Sequence, residues 1–350
     1  MASIATTEGS LYFLGDKDYL TGKLGPYVKI GIVRYDKPTK DRISEHQTGN
    51  PRQIIDLATV ENIPFVEKIE TLLHYHFNEK WITGEWFKLS EKELPAVIKM
   101  ANSLKKEQIK FQEALAKRED LKSKKSNTTK IKSVGATTNL HKAWIKNKLE
   151  LDKSTKELNL ARSELVILAG NKGLIDGVLY ISQTKASEGL DKTLLKKEHN
   201  DLYNKFVTVE PSNVTGSLKI EGKLKLKDHF PELEKAAKLI PKENWNKSHL
   251  NNTAPISKVL IKAHDKFRHH QKQVKLLDWE LFLIESRLME IVGTNLGIEG
   301  VCTWERKLGS KKVFNETLFA KKHPKIFNSY CRKKPGVFRC NIHSTRCYKK

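Results

Sequence analysis

The fold of the first hundred residues is decided by two short apolar segments, Leu11-Tyr12-Phe13-Leu14 and Tyr27-Val28-Lys29-Ile30-Gly31-Ile32-Val33. Both are rich in the aromatic and β-branched residues that favour strands. Residues 15–26 lie between them and contain three glycines and one proline, which is typical of a hairpin loop. The sequence therefore predicts an antiparallel pair of strands near the start of the chain.

Three further elements follow this hairpin. Residues 39–47 carry helix-forming polar side chains and are followed by Thr48-Gly49-Asn50-Pro51, a helix stop signal. Residues 54–60 are typical of a third strand. In residues 64–77 the apolar side chains recur at a spacing that places them on one helical face. The predicted order is ββαβα, which is a small α+β unit.

The composition excludes several classes of protein. The chain has 350 residues and a formal net charge of +23, and its four cysteines all follow residue 300. Such cysteine usage does not fit a disulfide-dense secreted scaffold. The sequence has no run of about 18 apolar residues that could span a membrane, and no basic segment followed by an apolar one that would act as a secretory signal. We therefore expect a cytoplasmic protein without a membrane partner.

The excess positive charge is distributed unevenly along the chain. Residues 1–100 have a net charge of −1, whereas residues 101–258 and 259–350 each have a net charge of +12. A positive field of this size raises the association rate with polyanions, of which nucleic acid is the commonest. The alternative that the sequence leaves open is a lysine-rich solvated surface without a specific partner.

Shifts in composition divide the chain into five predicted parts. They are an α+β unit (1–100), a Lys-rich helix and linker (101–140), a first basic module (141–225), a connector (226–255) and a second basic module (256–350). Within the linker, residues 122–132 have few apolar side chains, and we expect them to be mobile.

The two basic modules are copies of one another. Residues 165–177 read LVILAGNKGLIDG and residues 288–300 read LMEIVGTNLGIEG, so they align at an offset of 123. Residues 189–206 align with residues 313–330 at an offset of 124. Each copy is predicted to contain a long helix, a Gly-rich turn, a short extended pair and a second helix, which makes the region a mostly helical, tandemly duplicated α/β module. Two similar basic modules suit two successive contacts on a nucleic acid.

Several residues with chemically active side chains occur in a distinctive order within the first hundred. Tyr12 lies in the first predicted strand and Lys29-Ile30-Gly31 in the second, while Arg42 and His46 lie four residues apart on one helical face. Glu70 and His74 lie on the second predicted helix, and Glu85-Trp86-Phe87 follows.

In this order and spacing, residues 10–100 resemble the GIY-YIG nuclease superfamily. They look most like its phage and bacterial branch, in which the second motif reads K-I-G and the domain ends with E-W-F. The resemblance implies a small three-stranded antiparallel sheet with flanking helices. It also implies hydrolysis of phosphodiester bonds with one divalent metal ion, Mg2+ or Mn2+, in each active site.

The resemblance assigns roles that the residue types can support. Glu70 is the candidate metal ligand, because a hard cation held by one carboxylate and waters neutralises charge that builds on the phosphate. Arg42 offers a planar, permanently charged group to phosphate oxygens. Tyr12 is the candidate general base, with Lys29 lowering its pKa or positioning water. His46 is a candidate proton relay or phosphate donor.

The sequence departs from the superfamily pattern at two positions. The superfamily name predicts a tyrosine where Lys29 stands, and Tyr27, two residues earlier, would point to the same face of a strand. Which of Tyr12, Tyr27 and Lys29 activates the water therefore stays open. The first motif reads Ser10-Leu11-Tyr12 rather than Gly-Ile-Tyr, a change that keeps the tyrosine.

Basic and aromatic residues alternate in the second repeat copy, an arrangement that suits phosphate contacts and base stacking. Trp304 aligns with Tyr180 or Ile181, so a core position is equally open for it. The candidate nucleic-acid-binding residues are Arg306, Lys307, Lys311, Lys312, Arg332, Lys333, Lys334 and Arg339.

The end of the chain contains a possible zinc ligand set. Cys331, Cys340, His343 and Cys347 form the pattern C-x8-C-x2-H-x3-C. Three of the four cysteines in the chain, however, align with apolar positions of the first repeat copy. A free cysteine behaves as a small buried apolar residue, so we expect buried thiols and no structural zinc.

The sequence thus predicts a DNA endonuclease of phage, homing or restriction and defence type. Its N-terminal domain would cut and its duplicated basic region would bind DNA, with no small-molecule substrate. The alternative is a non-catalytic DNA-binding protein with a degenerate nuclease domain, against which the intact Tyr12, Arg42 and Glu70 argue. The oligomeric state, the recognition sequence, the cut geometry and RNA as a substrate stay open.

Overall fold

The computed structural model describes residues 8–34, 39–48, 50–170, 172–250 and 252–344, without the side chains of residues 39, 211–215 and 308. The described residues form an N-terminal α+β unit followed by a mostly helical region, which confirms the predicted fold class. Among these residues, no helix combines the length and the apolar character needed to cross a membrane.

The N-terminal unit is built around one antiparallel sheet. Its elements are β1 (Gly9–Lys17), β2 (Leu24–Arg34), α1 (Thr39–Gln47), β3 (Gln53–Ile63), α2 (Val66–His76), a 3-10 turn (Asn78–Lys80), β4 (Trp81–Thr83) and β5 (Trp86–Lys88). The strand order is β3-β1-β2-β5-β4. The sheet therefore has five strands rather than the predicted three, because β4 and β5 are each three residues long and too short to show alternation in the sequence.

The two faces of this sheet have different surroundings. One face carries Leu11, Phe13, Val28 and Ile30, which pack with α2 into the main core of the unit. The opposite face carries Tyr12, with Ile43 of α1 packed against the same small cluster. Because strand side chains alternate between faces, the first face stabilises the unit and the second is left to form a site under α1.

The next helix, α3 (Leu94–Lys122), continues without interruption past residue 100, and the predicted domain boundaries stay predictions. The structure differs from the expected mobile linker at residues 122–132. There, Ser126 N donates to the Arg306 carbonyl at 3.1 Å, and β6 (Lys130–Ile131) pairs with residues 297–298. Composition misses this, because backbone hydrogen bonds and the single apolar contact of Ile131 hold a segment that is otherwise polar.

The remaining elements form the two repeat copies and their connector. The first copy contains α4 (Gly135–Ala169), β7 (Leu174–Ile175), β8 (Leu179–Gln183), β9 (Ser187–Leu190), α5 (Lys192–Glu198), α6 (Asn200–Lys205), β10 (Val207–Thr215) and β11 (Lys219–Ile220). The connector contains α7 (Leu226–His229), α8 (Pro231–Lys238), a 3-10 turn (Lys247–His249) and β12 (Thr253–Ala254). The second copy contains α9 (Lys258–Val292), β13 (Gly297–Ile298), β14 (Cys302–Thr303), β15 (Arg306–Phe314), α10 (Glu316–Lys322), α11 (Pro324–Tyr330), β16 (Cys331–Lys334) and β17 (Phe338–Ile342).

The two copies share local geometry as well as sequence. α4 and α9 each have 35 residues, and both end at a glycine with positive φ: Gly170 has φ 61° and Gly293 has φ 55°. The side chains of Asp191 and Asn315 cap α5 and α10 in the same way, each accepting a hydrogen bond from the backbone three residues later. These matches indicate that each copy adopts one common plan.

The copies exchange strands with each other. β11 of the first copy pairs with β14 of the second, and β17 of the second pairs with β8 of the first. In the same reciprocal way, β6 pairs with β13 and β12 with β7. Side-chain contacts such as Trp144 with Glu285 and Glu164 with Lys266 show that α4 and α9 run antiparallel. The duplicated region is therefore an intertwined unit with approximate two-fold symmetry.

The N-terminal unit rests on α9 of this region. Phe65 and Trp279 are in ring contact at 4.8 Å, and Tyr75 and His269 at 5.4 Å. Phe65 lies at the start of α2 and Tyr75 lies near its end, so α9 contacts this helix at both ends. The helix that carries Glu70 is thus fixed by both the sheet and the duplicated region.

Candidate active site

A pocket of about 490 Å³ opens on the face of the sheet that carries Tyr12. It brings together four of the five main catalytic candidates, which come from β1, α1 and α2. Its lining residues are Tyr12, Ile32, Val33, Arg34, Arg42, His46, Glu70 and Glu85.

Tyr12 is positioned by the glycine of the Lys29-Ile30-Gly31 motif. Tyr12 and Gly31 are opposite each other in the β1–β2 pair, and Tyr12 is 3 % exposed. A Cβ added to Gly31 would lie 2.4 Å from Tyr12 Oη and 2.5 Å from Tyr12 Cζ. Only glycine leaves room for the phenol here, which gives the motif a steric explanation.

The hydroxyl of Tyr12 is protonated at neutral pH. Burial raises the pKa of Tyr12 well above its usual value, and the charges of Glu85 and Glu70 add to this, while Arg42 opposes it. Tyr12 is therefore suited to orient a water or a phosphate oxygen through a hydrogen bond.

Lys29 is buried beside the pocket and forms a salt bridge. Its Nζ lies 2.6 Å from Oε2 of Glu85, and Lys29 is 7 % exposed. The Glu85 carbonyl also accepts a hydrogen bond from the backbone of Ile30 at 3.0 Å. The first residue of the E-W-F motif thus binds the first residue of the K-I-G motif, and Lys29 is directed at Glu85 and does not line the pocket.

Arg42 and His46 project from one face of α1, as their spacing predicts. The end of this helix is fixed by Gln47, whose side chain accepts a hydrogen bond from Ile54 N at 2.8 Å and donates to the Asn50 and Arg52 carbonyls. The helix stop around Thr48 and Asn50 is therefore tied directly to β3, and this contact sets the height of α1 above the sheet.

Two residues of this helix that line the pocket each have one buried side-chain nitrogen without a hydrogen-bond partner among the described residues. These nitrogens are Arg42 Nε and His46 Nε2. Arg42 Nη1 donates to Glu45 at 2.7 Å, whereas its Nε has no partner among the described residues. A buried polar atom without a partner is destabilising, and an anionic oxygen would satisfy the Arg42 Nε–H, which can only donate. A phosphate group therefore fits this donor, whereas the neutral His46 ring can present Nε2 as an acceptor.

The electrostatic surroundings also set the state of His46. Burial, followed by the positive charge of Lys29, lowers the pKa of His46 from its usual value. A histidine with a lowered pKa is neutral at pH 7 and can accept a proton. His46 thus combines a free ring nitrogen with the protonation state of a base.

Glu70 is the carboxylate that α2 places at the pocket. Burial, followed by the charge of Glu85, raises the pKa of Glu70 to about 8. No hydrogen bond or salt bridge joins Glu70 to another described residue. A carboxylate so poorly stabilised is one that a cation would bind in place of a proton.

The residues of the pocket fit a magnesium ion that keeps most of its waters better than a metal ion that is bound by several protein ligands. In the described part of the chain, no group of three or more His, Cys, Asp or Glu side chains is arranged to hold a metal. Mg2+ is usually bound by one or two carboxylates and keeps several waters. Glu70 meets this requirement, whereas a site for a soft metal would need more protein ligands.

His74 has a structural role on the same helix. Its Nε2 lies 2.9 Å from the Ile30 carbonyl oxygen, and its ring packs on Phe87 at 5.0 Å. Burial lowers the pKa of His74 well below its usual value, so the neutral ring donates to the carbonyl. Glu70 and His74 therefore have different roles: His74 connects α2 to β2 through a hydrogen bond, and Glu70 lines the pocket.

Two residues that the sequence predicts to be functional, Tyr27 and Arg306, lie outside the pocket and outside the exposed basic surface. Tyr27 is 42 % exposed and does not line the pocket. Arg306 is only 2 % exposed: its Nη2 donates to the Gly293 carbonyl at 2.7 Å and its guanidinium lies 4.1 Å from the Trp304 ring. Arg306 and Trp304 therefore stabilise the end of α9, and the role of Arg306 in nucleic-acid binding stays a prediction.

The other basic candidates lie on the surface. Seven are exposed, on β15, β16 and β17, namely Lys307, Lys311, Lys312, Arg332, Lys333, Lys334 and Arg339. The buried cysteines Cys302 and Cys340 lie in the cores at the two ends of the α4–α9 pair, as their alignment with apolar residues predicts. Cys347 of the possible zinc set lies outside the described residues.

The sequence indicates Glu85 as the first residue of the E-W-F motif but not as a residue of the pocket. Its partner is 56 positions away, and no local pattern connects them. The K-I-G and E-W-F motifs were the available signal, because β2 and β5, the strands to which they belong, are neighbours in the sheet. Arg34, which binds Glu67 at 3.1 Å at the edge of the pocket, gave no signal at all.

The comparisons with known proteins bear on this domain alone. Neither the search of curated proteins nor that of solved structures found a match to the chain. Residues 9–102, which span the five-stranded sheet, α1, α2 and the start of α3, match the T5orf172 domain, a nuclease-associated, GIY-YIG-like domain linked to phages.

Proposed function

We propose that the protein is a DNA endonuclease of the GIY-YIG type, in which the N-terminal domain hydrolyses phosphodiester bonds and the duplicated basic region binds the DNA. The observation that carries the proposal is the pocket lined by Tyr12, Arg42, His46 and Glu70, in which Arg42 Nε and His46 Nε2 are buried and have no partners among the described residues. Donors for an anion and a carboxylate for a cation are the two requirements of phosphodiester hydrolysis.

Each residue of the pocket has a separate task in this proposal. Arg42 binds a non-bridging phosphate oxygen. His46, which is neutral, takes the proton from the attacking water at Nε2, and the Tyr12 hydroxyl orients that water. Glu70 would hold Mg2+ or Mn2+, which supplies charge stabilisation for the phosphate and the leaving oxygen.

Lys29 acts as a positioning residue through Glu85. The 2.6 Å salt bridge places a positive charge behind Glu70 and His46, where it opposes the raised pKa of Glu70 and helps to keep His46 neutral. The alternative of a degenerate, non-catalytic domain is disfavoured, because such a domain has no need for unpartnered Arg42 and His46 nitrogens in the pocket that the unpaired Glu70 carboxylate lines.

A plasmid assay tests the proposal. Purified full-length protein is incubated with supercoiled plasmid and Mg2+, with EDTA in a parallel reaction, and the nicked and linear forms are measured. We expect conversion with Mg2+ and none with EDTA, and a loss of conversion in Arg42→Gln. Equal cleavage by wild-type and Arg42→Gln, or cleavage that EDTA does not change, would contradict it. A parallel reaction with RNA of similar length tests the choice of DNA.

A further inference from the structure

The strand exchange between the repeat copies creates two isolated β-ribbons. The first ribbon pairs β10 with β15 over nine residues, and the second pairs β9 with β16 over four. Both are two-stranded, with no third strand among the described residues. In the first ribbon, residues 208–210 and 310–312 are exposed at consecutive positions, so both of its faces are in solvent. Two-stranded ribbons are only marginally stable by themselves, which favours a partner.

The exchange also distributes positive charge. Residues 305–339 of the second copy contain eleven Lys and Arg but only two Glu, whereas residues 181–215 of the first copy contain five of each sign. Because each ribbon takes one strand from each copy, the basic strands of the second copy go to different ribbons. β15 brings Lys311 and Lys312 to the first ribbon, and β16 brings Arg332, Lys333 and Lys334 to the second.

The two ribbons are related by the approximate two-fold axis. Lys192 and Glu316 are equivalent positions of the two copies, and they bind each other at 2.8 Å, so the axis passes close to this pair. Around it, α5 and α6 pack with α10 and α11 in one core that includes Leu195 and Phe319, which are again equivalent. Each ribbon leaves this central core and leads to one end of the α4–α9 pair.

We infer that the two ribbons bind one double-stranded DNA at two half-sites, one on each side of the two-fold axis. The inference rests on the proposed function in taking DNA as the substrate, and it adds the form of the DNA and the surface that binds it. The major groove, about 12 Å wide, admits a two-stranded ribbon. Readers related by a two-fold axis contact half-sites about one helical turn apart. Since the two ribbons differ in sequence, the half-sites need not be identical.

The salt dependence of binding tests this inference without requiring cleavage. Full-length Glu70→Gln protein is titrated with a fluorescent 30-base-pair duplex of mixed sequence at several salt concentrations. Two variants remove charge from one ribbon each: Lys311→Gln with Lys312→Gln, and Arg332→Gln with Lys333→Gln and Lys334→Gln. The matched control is Lys106→Gln with Lys110→Gln, two exposed positions of α3.

The log–log salt slope of duplex binding changes by about 0.9 for each lost phosphate contact. We therefore expect the slope to become shallower by about 2 in the first variant, by about 3 in the second and by about 5 when the two are combined, with little change in the control. With a 10-base-pair duplex, which offers a single half-site, the effects of the two variants on the slope should no longer add. Circular dichroism should show unchanged folding, because all five residues are exposed.

Three results would overturn the inference: an effect confined to one ribbon, an equal effect in the control, or tighter binding of single-stranded DNA than of the duplex. A protein that cleaves plasmid but whose ribbon variants bind like wild type would refute the inference and leave the nuclease intact. A protein that binds through both ribbons but does not cut would leave the inference and refute the nuclease.

Discussion

Replacement of Gly31 by alanine should disable the pocket proposed as the nuclease site without removing any of its functional groups. The added Cβ would lie 2.4 Å from Tyr12 Oη, whereas ordinary contact begins near 3.4 Å, so the phenol must move by about 1 Å. The β1 backbone cannot give way easily, because it is paired with β2 on one side and β3 on the other. The ring itself is therefore the part that moves.

The size of the effect follows from this displacement. A misplacement of about 1 Å near the reacting atoms can lower a rate about 100-fold, and forcing an extra methyl group into a packed site costs about 1–3 kcal/mol of stability. We expect Gly31→Ala to fold, to bind DNA like wild type and to cleave about 100-fold more slowly. Single-turnover cleavage of plasmid with Mg2+ measures the rate, and thermal unfolding measures the stability.

A second glycine provides the control. A Cβ added to Gly135, at the start of α4, would have no heavy atom within 4 Å, so Gly135→Ala should cleave at the wild-type rate. Wild-type cleavage by Gly31→Ala would refute the reasoning, because Tyr12 would then not need its position. A variant that loses activity only by unfolding, with no folded fraction at the assay temperature, would refute it as well.

Three further predictions test other parts of the account. Lys29→Met should lower the single-turnover rate by about 100-fold with little loss of DNA affinity. Lys29→Arg should keep most of the wild-type rate, since the arginine can bind Glu85. Equal rates in both variants would contradict a role through the salt bridge. Tyr12→Phe should lower the rate far more than Tyr27→Phe, because Tyr27 lies outside the pocket; the reverse ranking would move the site to the second strand. His264 is buried, and burial lowers its pKa to about 4, so the unfolded state, with a histidine pKa of about 6.5, binds more protons between these values. Stability should therefore be full above about pH 6.5 and fall by an amount on the order of 3 kcal/mol as the pH drops to 4, and denaturant unfolding should show a smaller drop in His264→Gln; equal drops would refute this assignment.

The sequence predicted the elements of the N-terminal unit better than their pairing. Alternation located β1, β2 and β3, and the apolar spacing located α2, because each pattern is complete within about ten residues. It missed β4 and β5, which are too short to show a period, and with them the contact of Glu85 with Lys29. Arg42 and His46 were placed correctly because their spacing alone puts them on one helical face.

The duplicated region shows the limit of local patterns more clearly. The repeat predicted two similar modules, but pairing between copies is a long-range choice that no window of sequence contains. Arg306 is the clearest example: it follows a tryptophan in a basic stretch, yet it is buried by the carbonyls of residues 293 and 295 and by the Trp304 ring. Only the ends of α9 and β15, brought together by the fold, explain its position.

The single-turnover rate of Glu70→Gln with Mg2+, at protein concentrations that saturate the DNA, tests the central claim most directly. The exchange keeps the shape of the side chain and removes the charge that would hold the cation, so the rate should fall at least about 100-fold. Glu67→Gln, three residues earlier on α2 and outside the pocket lining, should cleave within a few-fold of wild type. Wild-type cleavage by folded Glu70→Gln would show that Glu70 does not serve the metal-dependent step and would contradict the account.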